Sequence, residues 1–482
     1  MQGQIFLLLC VFVPLLGAFL LPLIARFNYM IRNIMAMLLP LVSFVFSFLL
    51  LPIVLRGEEI LLNVDLPLGL SFGFAAQPLS VFMALTAALV MLIIVFYSFG
   101  INADSEEDEA AARHKNSLCF FSVLFLGGMM GMLYSTNLIF LYIFLNIVLI
   151  CSWILIGLYH ANITGMKADK AFLIMIGASF LMLIGFISVY TQTGTFDMSQ
   201  LQGKGVDTWV IILILLGIFA MSAIVPVHSW LPDAGAASAS VYTLLHSVLC
   251  VICGVYLYSR LFLSCLQMEP VWQLVIPIVA GSSAVISAGT AIVEHNIKRI
   301  AAYSTISQVS FLFFGLSCGI QMGIAGGLLY AFMIALSIAG FMLCIGVVEK
   351  NTGETDIRKL GGLTKNMPIT AIAFAICVFS FMGIPPFSGF FAKYMIISGA
   401  MQTGYVWLPV IGIVAMLLTV VYSLRLFFQL FFGEQTHLDA REGSWEMVLS
   451  AAAFAFLSLG FSFFINFPSA NVSYIVESFG RW

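Results

Sequence analysis

Two ionisable side chains stand inside long apolar stretches of the sequence. Lys393 closes the segment GIPPFSGFFAK (383–393), and His246 lies in TLLHSVLC (243–250). A charge inside a membrane is costly and histidine titrates near neutral pH, so both residues are candidates for carrying protons or other ions. Each also has a structural explanation. Lys393 can reach the membrane surface or pair locally, and a neutral His246 can hydrogen-bond two helices together.

The rest of the chain offers no pattern for covalent or metal chemistry. It contains no phosphate-binding loop, dinucleotide fingerprint, metal-ligand cluster or nucleophile arrangement. Cys250 and Cys253 form a CxxC, but this motif lies within a predicted helix and no second pair accompanies it. We therefore interpret the nine cysteines as buried free thiols. We expect no catalytic centre, no metal and no cofactor in this chain.

The elements that must position these residues are membrane helices. Of the 482 residues, 62% are hydrophobic and only 9% are charged, and the mean hydropathy is +1.10. A soluble domain averages roughly 25% charged residues. The apolar runs are about 20 residues long, which is the length of a helix that crosses the hydrocarbon core. The composition therefore predicts an all-α polytopic membrane protein.

About fourteen spans are predicted, and no linker or low-complexity stretch divides them, so we expect a single transmembrane domain over 1–482. The predicted spans are 3–25, 31–55, 76–100, 118–136, 138–160, 168–192, 207–227, 237–262, 270–293, 299–320, 323–347, 367–399, 405–432 and 448–468.

The basic residues predict the orientation of these spans. Loops after odd-numbered spans carry thirteen Lys and Arg residues, among them Lys115 and Lys359, whereas the other loops and the tail carry four. Because loops rich in Lys and Arg stay in the cytoplasm, the odd-numbered loops are predicted to be cytoplasmic. Both termini are then expected on the opposite side of the membrane.

Prolines interrupt two of the predicted spans. The first interruption is AIVPVHSW (223–230) around Pro226, and the second is GIPPFSGF (383–390) around Pro385 and Pro386. In both, a small residue is followed by Ile, one further residue and Pro. Paired broken helices are typical of transporters with inverted repeats, although membrane helices also tolerate ordinary proline kinks.

Four stretches together resemble one family, the antiporter-like subunits of complex I, membrane-bound hydrogenases and Mrp-type sodium/proton antiporters. They are PVHSWLPDAGAASASVYTLLHS (226–247), NIKRIAAYSTISQVSF (296–311), LGGLTKNMPITA (360–371) and GIPPFSGFFAK. They occur in the family's order, and the resemblance extends over roughly 70–430.

The resemblance implies fourteen helices with two inverted five-helix repeats, at about 118–262 and 270–432, each containing a broken helix. It implies a location in the cell (inner) membrane and other membrane subunits as partners, including further antiporter-like ones. Redox cofactors are expected in those partner subunits. Such subunits pass protons along a line of Lys, Glu and His near the middle of the bilayer.

This sequence departs from the family at that line. Asn146 stands where the fifth helix usually has Glu, and Met221 stands where the seventh usually has Lys. Ile252 occupies a Lys position of the eighth helix, and Ile334 and Ile338 align with a His and a Lys of the eleventh.

Only His246 and Lys393 remain of the usual ionisable line. A proton relay needs groups that gain and lose protons and shift one another's pKa. Asn, Met and Ile cannot titrate, so the sequence predicts a degenerate proton channel. With it, we expect a scaffold or coupling subunit of an ion-translocating redox complex that is similar to complex I or to a membrane-bound hydrogenase. The alternative is an active proton or sodium channel subunit that uses Lys393, His246, polar side chains and water.

Overall fold

The computed structural model describes residues 2–65, 71–101, 109–158 and 161–479. The helices before the first break are α1 Gln2–Ala25, α2 Tyr29–Leu55, α3 Pro78–Ile101, α4 Glu109–Tyr134, α5 Leu138–Gly157, α6 Ala161–Thr193 and α7 Thr208–Met221. Between the breaks lie α8 Trp230–Ala234, α9 Ala239–Leu244, α10 Gly254–Tyr258, α11 Trp272–Val293, α12 Ile297–Ser317, α13 Gln321–Thr352 and α14 Pro368–Met382. The chain continues with α15 Ser388–Gln402, α16 Trp407–Phe431, α17 Trp445–Phe463 and α18 Asn466–Phe479.

The membrane class predicted from composition is confirmed. Twelve helices in the described part of the chain are long and apolar enough to cross a membrane. Two shorter apolar helices, Thr208–Met221 and Pro368–Met382, begin the two segments that proline interrupts. The total of fourteen spans and the inverted repeats stay predictions. Each broken segment begins with a helix that is shorter than the twelve candidate spans.

A β-hairpin after α2 was not predicted. Strand β1 (Ile60–Asp65) pairs antiparallel with β2 (Ser71–Ala76), with Ile60 opposite Ala76 and Asp65 opposite Ser71. Short strands β3 (Lys204–Gly205) and β4 (Leu266–Gln267) form a second, parallel pair. Most of the hairpin residues are apolar, and short apolar runs of this kind do not separate a strand from a helix.

The loops sort onto two faces of the bundle. On one face, Ile297 N–H donates to the Thr355 carbonyl and Asn366 Nδ2 donates to the His437 carbonyl, so three loops after odd-numbered spans meet there. On the other face, Gln4 of α1 donates to the Leu61 carbonyl and Tyr474 of α18 donates to the Val54 carbonyl. The start of α1 and helix α18 therefore lie on the hairpin face.

One loop on the face opposite the hairpin is held by charge. The Asp356 backbone N–H and the Lys359 ammonium, 2.9 Å from Glu354, lower the pKa of the Glu354 carboxyl to about 2. Arg358 likewise lowers the pKa of the Asp356 carboxyl. These contacts fix the loop that leads from α13 into the second broken segment.

Three elements form the centre of the bundle: α13, α12 and the continuous helix Ala239–Cys265. All of the apolar stretch of α13 is buried, as are 94% and 89% of the corresponding stretches of the other two. Helices α1, α2 and α6 bury only 39% each and lie at the periphery. Residues that face the interior of the bundle therefore come mainly from these three elements.

The two breaks have the same local backbone. The small residues Ala223 and Gly383 both have positive φ, 52° and 78°. Each is followed by an Ile whose N–H reaches back five residues, from Ile224 to the Phe219 carbonyl and from Ile384 to the Phe379 carbonyl. Both interruptions predicted at proline are thus real ends of helices, and they share one turn geometry.

The eighth predicted span is continuous but changes its winding. Leu245–Cys253 and Ser259–Cys265 are π-helical, and α9 and α10 flank the first of these segments. π-Helical turns are rare and occur often at functional sites. Both His246 and Ile252 lie in the first π-helical segment.

Candidate functional site

Lys393 lies in the interior of the bundle. It is 1% exposed, and its ammonium sits 3.4 Å from the Met382 carbonyl at the end of α14. The same Nζ lies 5.3 Å from the ring centre of Phe311 and 5.4 Å from that of Tyr330. A helix C-terminus and aromatic faces both favour a positive charge, so this environment compensates an ammonium in part. No carboxylate of the described residues lies within ion-pairing distance.

Glycines set the position of the helix that carries Lys393. A Cβ on Gly399 of α15 would stand 2.5 Å from Gly323 Cα of α13, and one on Gly326 would stand 2.7 Å from Ile396 N. Close approach through small residues is a common way of packing membrane helices. Gly383 allows the lysine stem to pass, because a Cβ there would lie 2.8 Å from Lys393 Cδ. These contacts hold Lys393 against α13.

A buried amide network lies next to Lys393. Gln308 Oε1 accepts from the Tyr330 hydroxyl (2.5 Å), and Gln308 Nε2 donates to Thr419 Oγ1 (2.9 Å) and to the Tyr422 hydroxyl (2.7 Å). The Tyr330 hydroxyl also lies 3.2 Å from the Phe381 carbonyl oxygen. The network thus joins α12, α13 and α16 to the end of α14. Its members are neutral side chains that orient one another.

His246 lies elsewhere in the interior. It is completely buried, its Nδ1 is 2.8 Å from Thr305 Oγ1, and its ring stands edge-on to Tyr242 at 4.1 Å. Its Nε2 is enclosed and has no hydrogen-bond partner among the described residues. The contact with Thr305 matches the prediction of a histidine that joins two helices, and the open Nε2 keeps a second hydrogen bond available.

Helix α12 contributes hydrogen-bonding side chains close to both ionisable sites. Thr305 contacts His246, and Gln308, one turn later on the same face, contacts Tyr330 beside Lys393. The Thr305 hydroxyl also bonds to the Ala301 carbonyl of its own helix, and Gln308 spends both amide hydrogens on α16. The two sites therefore lie close together, but the described side chains do not join them by a continuous chain of hydrogen bonds.

Four of the five positions with missing charges are buried and apolar. Met221 ends α7 and is completely enclosed, and Ile252 is 1% exposed. Ile334 and Ile338 follow Tyr330 along α13 at successive turns and are equally buried. The packing here is close, since a Cβ on Gly254 would stand 1.8 Å from Ser222 Oγ. None of these side chains can titrate.

Asn146 lies apart from this interior. It is half-buried on α5, donates to the Tyr142 carbonyl (2.8 Å) and accepts from Ser179 of α6 (3.2 Å). One turn to either side, Ile143 and Ile150 are 46% and 44% exposed. Asn146 thus faces the outer side of the bundle at the contact between α5 and α6.

Two polar contacts in the described chain are absent from the sequence predictions. Lys298 at the start of α12 is buried and pairs with Glu349 at 2.7 Å. Trp230 is buried and its Nε1 donates to the Ala220 carbonyl (2.9 Å), which ties α8 back to the end of α7. The sequence contains a signal for the Lys298–Glu349 pair, because Glu349 stands at the end of one apolar run and Lys298 at the start of another.

Residues 135–419 match the family described as NADH:quinone oxidoreductase/Mrp antiporter, transmembrane region. The chain belongs to this family. The matched region covers both broken segments and every position at which a charge is missing. The family resemblance seen in the motifs is therefore confirmed.

Relatives and solved structures agree with this assignment. The chain is 29% identical to the "Na(+)/H(+) antiporter subunit A1" of Staphylococcus epidermidis over 97% of its own length and 62% of that protein. It therefore spans less than two thirds of this relative. The Mrp complex of Dietzia sp. contains a chain of the same fold (TM-score 0.88, 22% identity, 98% and 97% covered). Respiratory complex I of Thermus thermophilus contains another (TM-score 0.85, 20% identity, 98% and 99% covered).

Proposed function

We propose that this chain is a membrane subunit with a degenerate ion channel, and that it acts as a scaffold or coupling element in a larger ion-translocating complex. The observation that carries the proposal is the environment of Lys393. Its contacts are a backbone carbonyl and two aromatic rings, and the amide network beside it contains no group that titrates near neutral pH. A lysine in such a place has no neighbour with which to exchange a proton.

The apolar interior supports the same conclusion. Four positions at which the family usually carries a charge or a histidine are filled by Met221, Ile252, Ile334 and Ile338, and all four are buried. Apolar packing gives water few polar partners, so a hydrated path through this region is disfavoured. The same proposal has further parts. The chain lies in the cell membrane with its odd-numbered loops in the cytoplasm. Its partners are further antiporter-like subunits and subunits that carry redox cofactors. Reporter fusions at Lys115 and Lys359 test the orientation.

One observation favours a working channel as the second candidate. On helix α12, Thr305 contacts His246 and Gln308 contacts Tyr330. These two α12 residues lie within one turn of each other. Small polar groups of this kind can hold water, and a water chain between them would connect His246 to Lys393. Proton or sodium ion transport through the second half of the chain would then survive.

The test is Lys393→Met in the assembled complex, reconstituted into vesicles with an ion-sensitive dye. The substitution removes the amine and keeps the length of the side chain. We expect unchanged ion transport per complex, because the lysine lies on no continuous path. Lys170→Met is the matched control, since Lys170 is 46% exposed and pairs with Asp233 outside the interior.

A fall in transport of about tenfold for Lys393→Met alone would support the working channel instead. Size-exclusion chromatography of each variant separates loss of transport from loss of assembly. The isolated chain should show no cation/proton exchange in vesicles, and robust exchange by it would overturn the scaffold proposal.

A further inference from the structure

A cavity of about 300 Å³ lies on the hairpin face, away from the interior site. Its walls come from the end of α2, the hairpin β1–β2, the start of α3 and helix α18. Because these elements meet where the spanning helices end, the cavity stands at the level of the membrane surface. No part of the proposed ion-transport role involves it.

One buried cation lines this cavity. Arg260 is 6% exposed and comes from the last turns of the helix Ala239–Cys265. Its Nη1 donates to Gln77 Oε1 and to Ser264 Oγ (3.4 Å). In the part of the chain that the structure describes, Arg260 has no carboxylate within 4.0 Å. The buried charge is thus compensated only by neutral groups.

The other edge of the guanidinium has no hydrogen-bond acceptor among the described residues. Arg260 Nε is enclosed without a hydrogen-bond partner, and no hydrogen bond from Nη2 joins the described residues. A guanidinium N–H without an acceptor favours an oxygen of a phosphate or carboxylate. An unpaired buried charge is costly, so an anionic group at this edge would be strongly favoured.

Carboxylates line other parts of the same cavity. Glu58 and Glu59 are exposed at its rim, and Asp197 lies in the wall, where its Oδ1 accepts from Ser199. A simple anion such as inorganic phosphate would gain from Arg260 and be repelled by these three groups. A ligand that carries both a phosphate and an amine satisfies both signs of charge.

Part of the remaining wall is apolar. Val54, Ile60 and Pro78 line the cavity, and Leu61 on β1 is 48% exposed beside it. Acyl chains can leave along such a surface, whereas a free polar metabolite gains nothing from it. From these features we infer that the cavity holds the headgroup of a zwitterionic, amine-bearing phospholipid, with its phosphate at Arg260 and its ammonium toward Glu58, Glu59 and Asp197.

Native mass spectrometry of the delipidated complex tests the inference. Phosphatidylethanolamine is titrated against phosphatidylglycerol with the same acyl chains, because only the first carries an ammonium. We expect one tightly held phosphatidylethanolamine at this site and about tenfold weaker binding in Arg260→Gln, because a charge-assisted phosphate contact is lost. Arg56→Gln is the control, since Arg56 is an exposed arginine on the same face that does not line the cavity.

The double variant E58Q/E59Q separates the two ends of the headgroup. It should keep phospholipid binding and lose the preference for phosphatidylethanolamine. Should Arg260→Gln fail to fold, Ser478→Trp fills the cavity from α18 and should abolish binding, since Ser478 lines it.

Three outcomes would overturn the inference. They are equal binding of phosphatidylethanolamine by the wild type and by Arg260→Gln or Ser478→Trp, equal binding of the two lipids by the wild type, and displacement of the lipid by equimolar phosphoethanolamine. The last would assign the site to a free metabolite.

Discussion

The two broken segments share a backbone and differ in what stabilises it. In the first, the indole of Trp230 returns to the Ala220 carbonyl, and Asp233 pairs with Lys170. In the second, the ammonium of Lys393 returns to the Met382 carbonyl and lies against two aromatic rings. A neutral donor thus closes the first break, and a buried cation closes the second.

This difference separates structure from function within one fold. The turn itself needs only a small residue with positive φ, an Ile and a proline, and both segments have these. A neutral donor satisfies the carbonyls left open by the break at little cost, whereas a buried charge costs energy in the same place. The lysine is therefore more than the turn requires.

The largest expected effect is a loss of stability, because the two breaks differ in the space that the turn leaves for a side chain. A Cβ on Gly389 would stand 1.9 Å from the Ser380 carbonyl oxygen, a backbone atom that cannot easily move. Gly389→Ala should therefore destabilise the chain by about 3 kcal/mol or more. The corresponding residue of the first break is Ser229, and Ser229→Ala should change stability by less than about 0.5 kcal/mol.

Thermal unfolding in detergent, followed by a thiol-reactive dye, measures both variants, because all nine cysteines are buried. Equal melting temperatures for the two variants would mean that the close approach at Gly389 is relieved by movement of the whole turn.

A second pair of variants compares the two donors. Trp230→Phe removes the indole N–H from the Ala220 carbonyl and should cost about 2 kcal/mol, because a buried acceptor is left unsatisfied. Lys393→Met removes a buried charge whose carbonyl contact is long, and it should change stability by less than about 1 kcal/mol in either direction. The dye assay again reports both. Greater destabilisation by Lys393→Met would show that the lysine is a structural requirement of the second break.

The smallest effect concerns the backbone at the turn. Ala223 has φ 52°, a conformation that costs an L-residue about 1 kcal/mol relative to glycine. Ala223→Gly should raise the stability by roughly that amount, as the second break already has Gly383 at this position. Gly383→Ala should lower it by more, since the new Cβ would also meet the Lys393 stem. A loss of stability in Ala223→Gly would contradict the shared geometry.

The sequence alone determined the class, the family and the places where the helices break. Apolar runs of membrane length, the small-Ile-x-Pro signature and the four motifs are local patterns, and the structure and the family match bear them out. That Asn146, Met221, Ile252, Ile334 and Ile338 replace ionisable residues of the family stays a prediction from the resemblance of local motifs. Local chemistry is sufficient for all of these, since each depends on residues near one another in the chain.

Only the tertiary structure decided what surrounds Lys393 and His246. Phe311, Tyr330 and Gln308 reach Lys393 from other helices, and Thr305 reaches His246 from α12. The same holds for the Lys298–Glu349 pair and for Arg260 in its cavity. These neighbours lie far apart along the chain, and hydropathy sets only which helices are buried. Which side chains then meet depends on how glycines such as Gly323 and Gly399 let the helices approach.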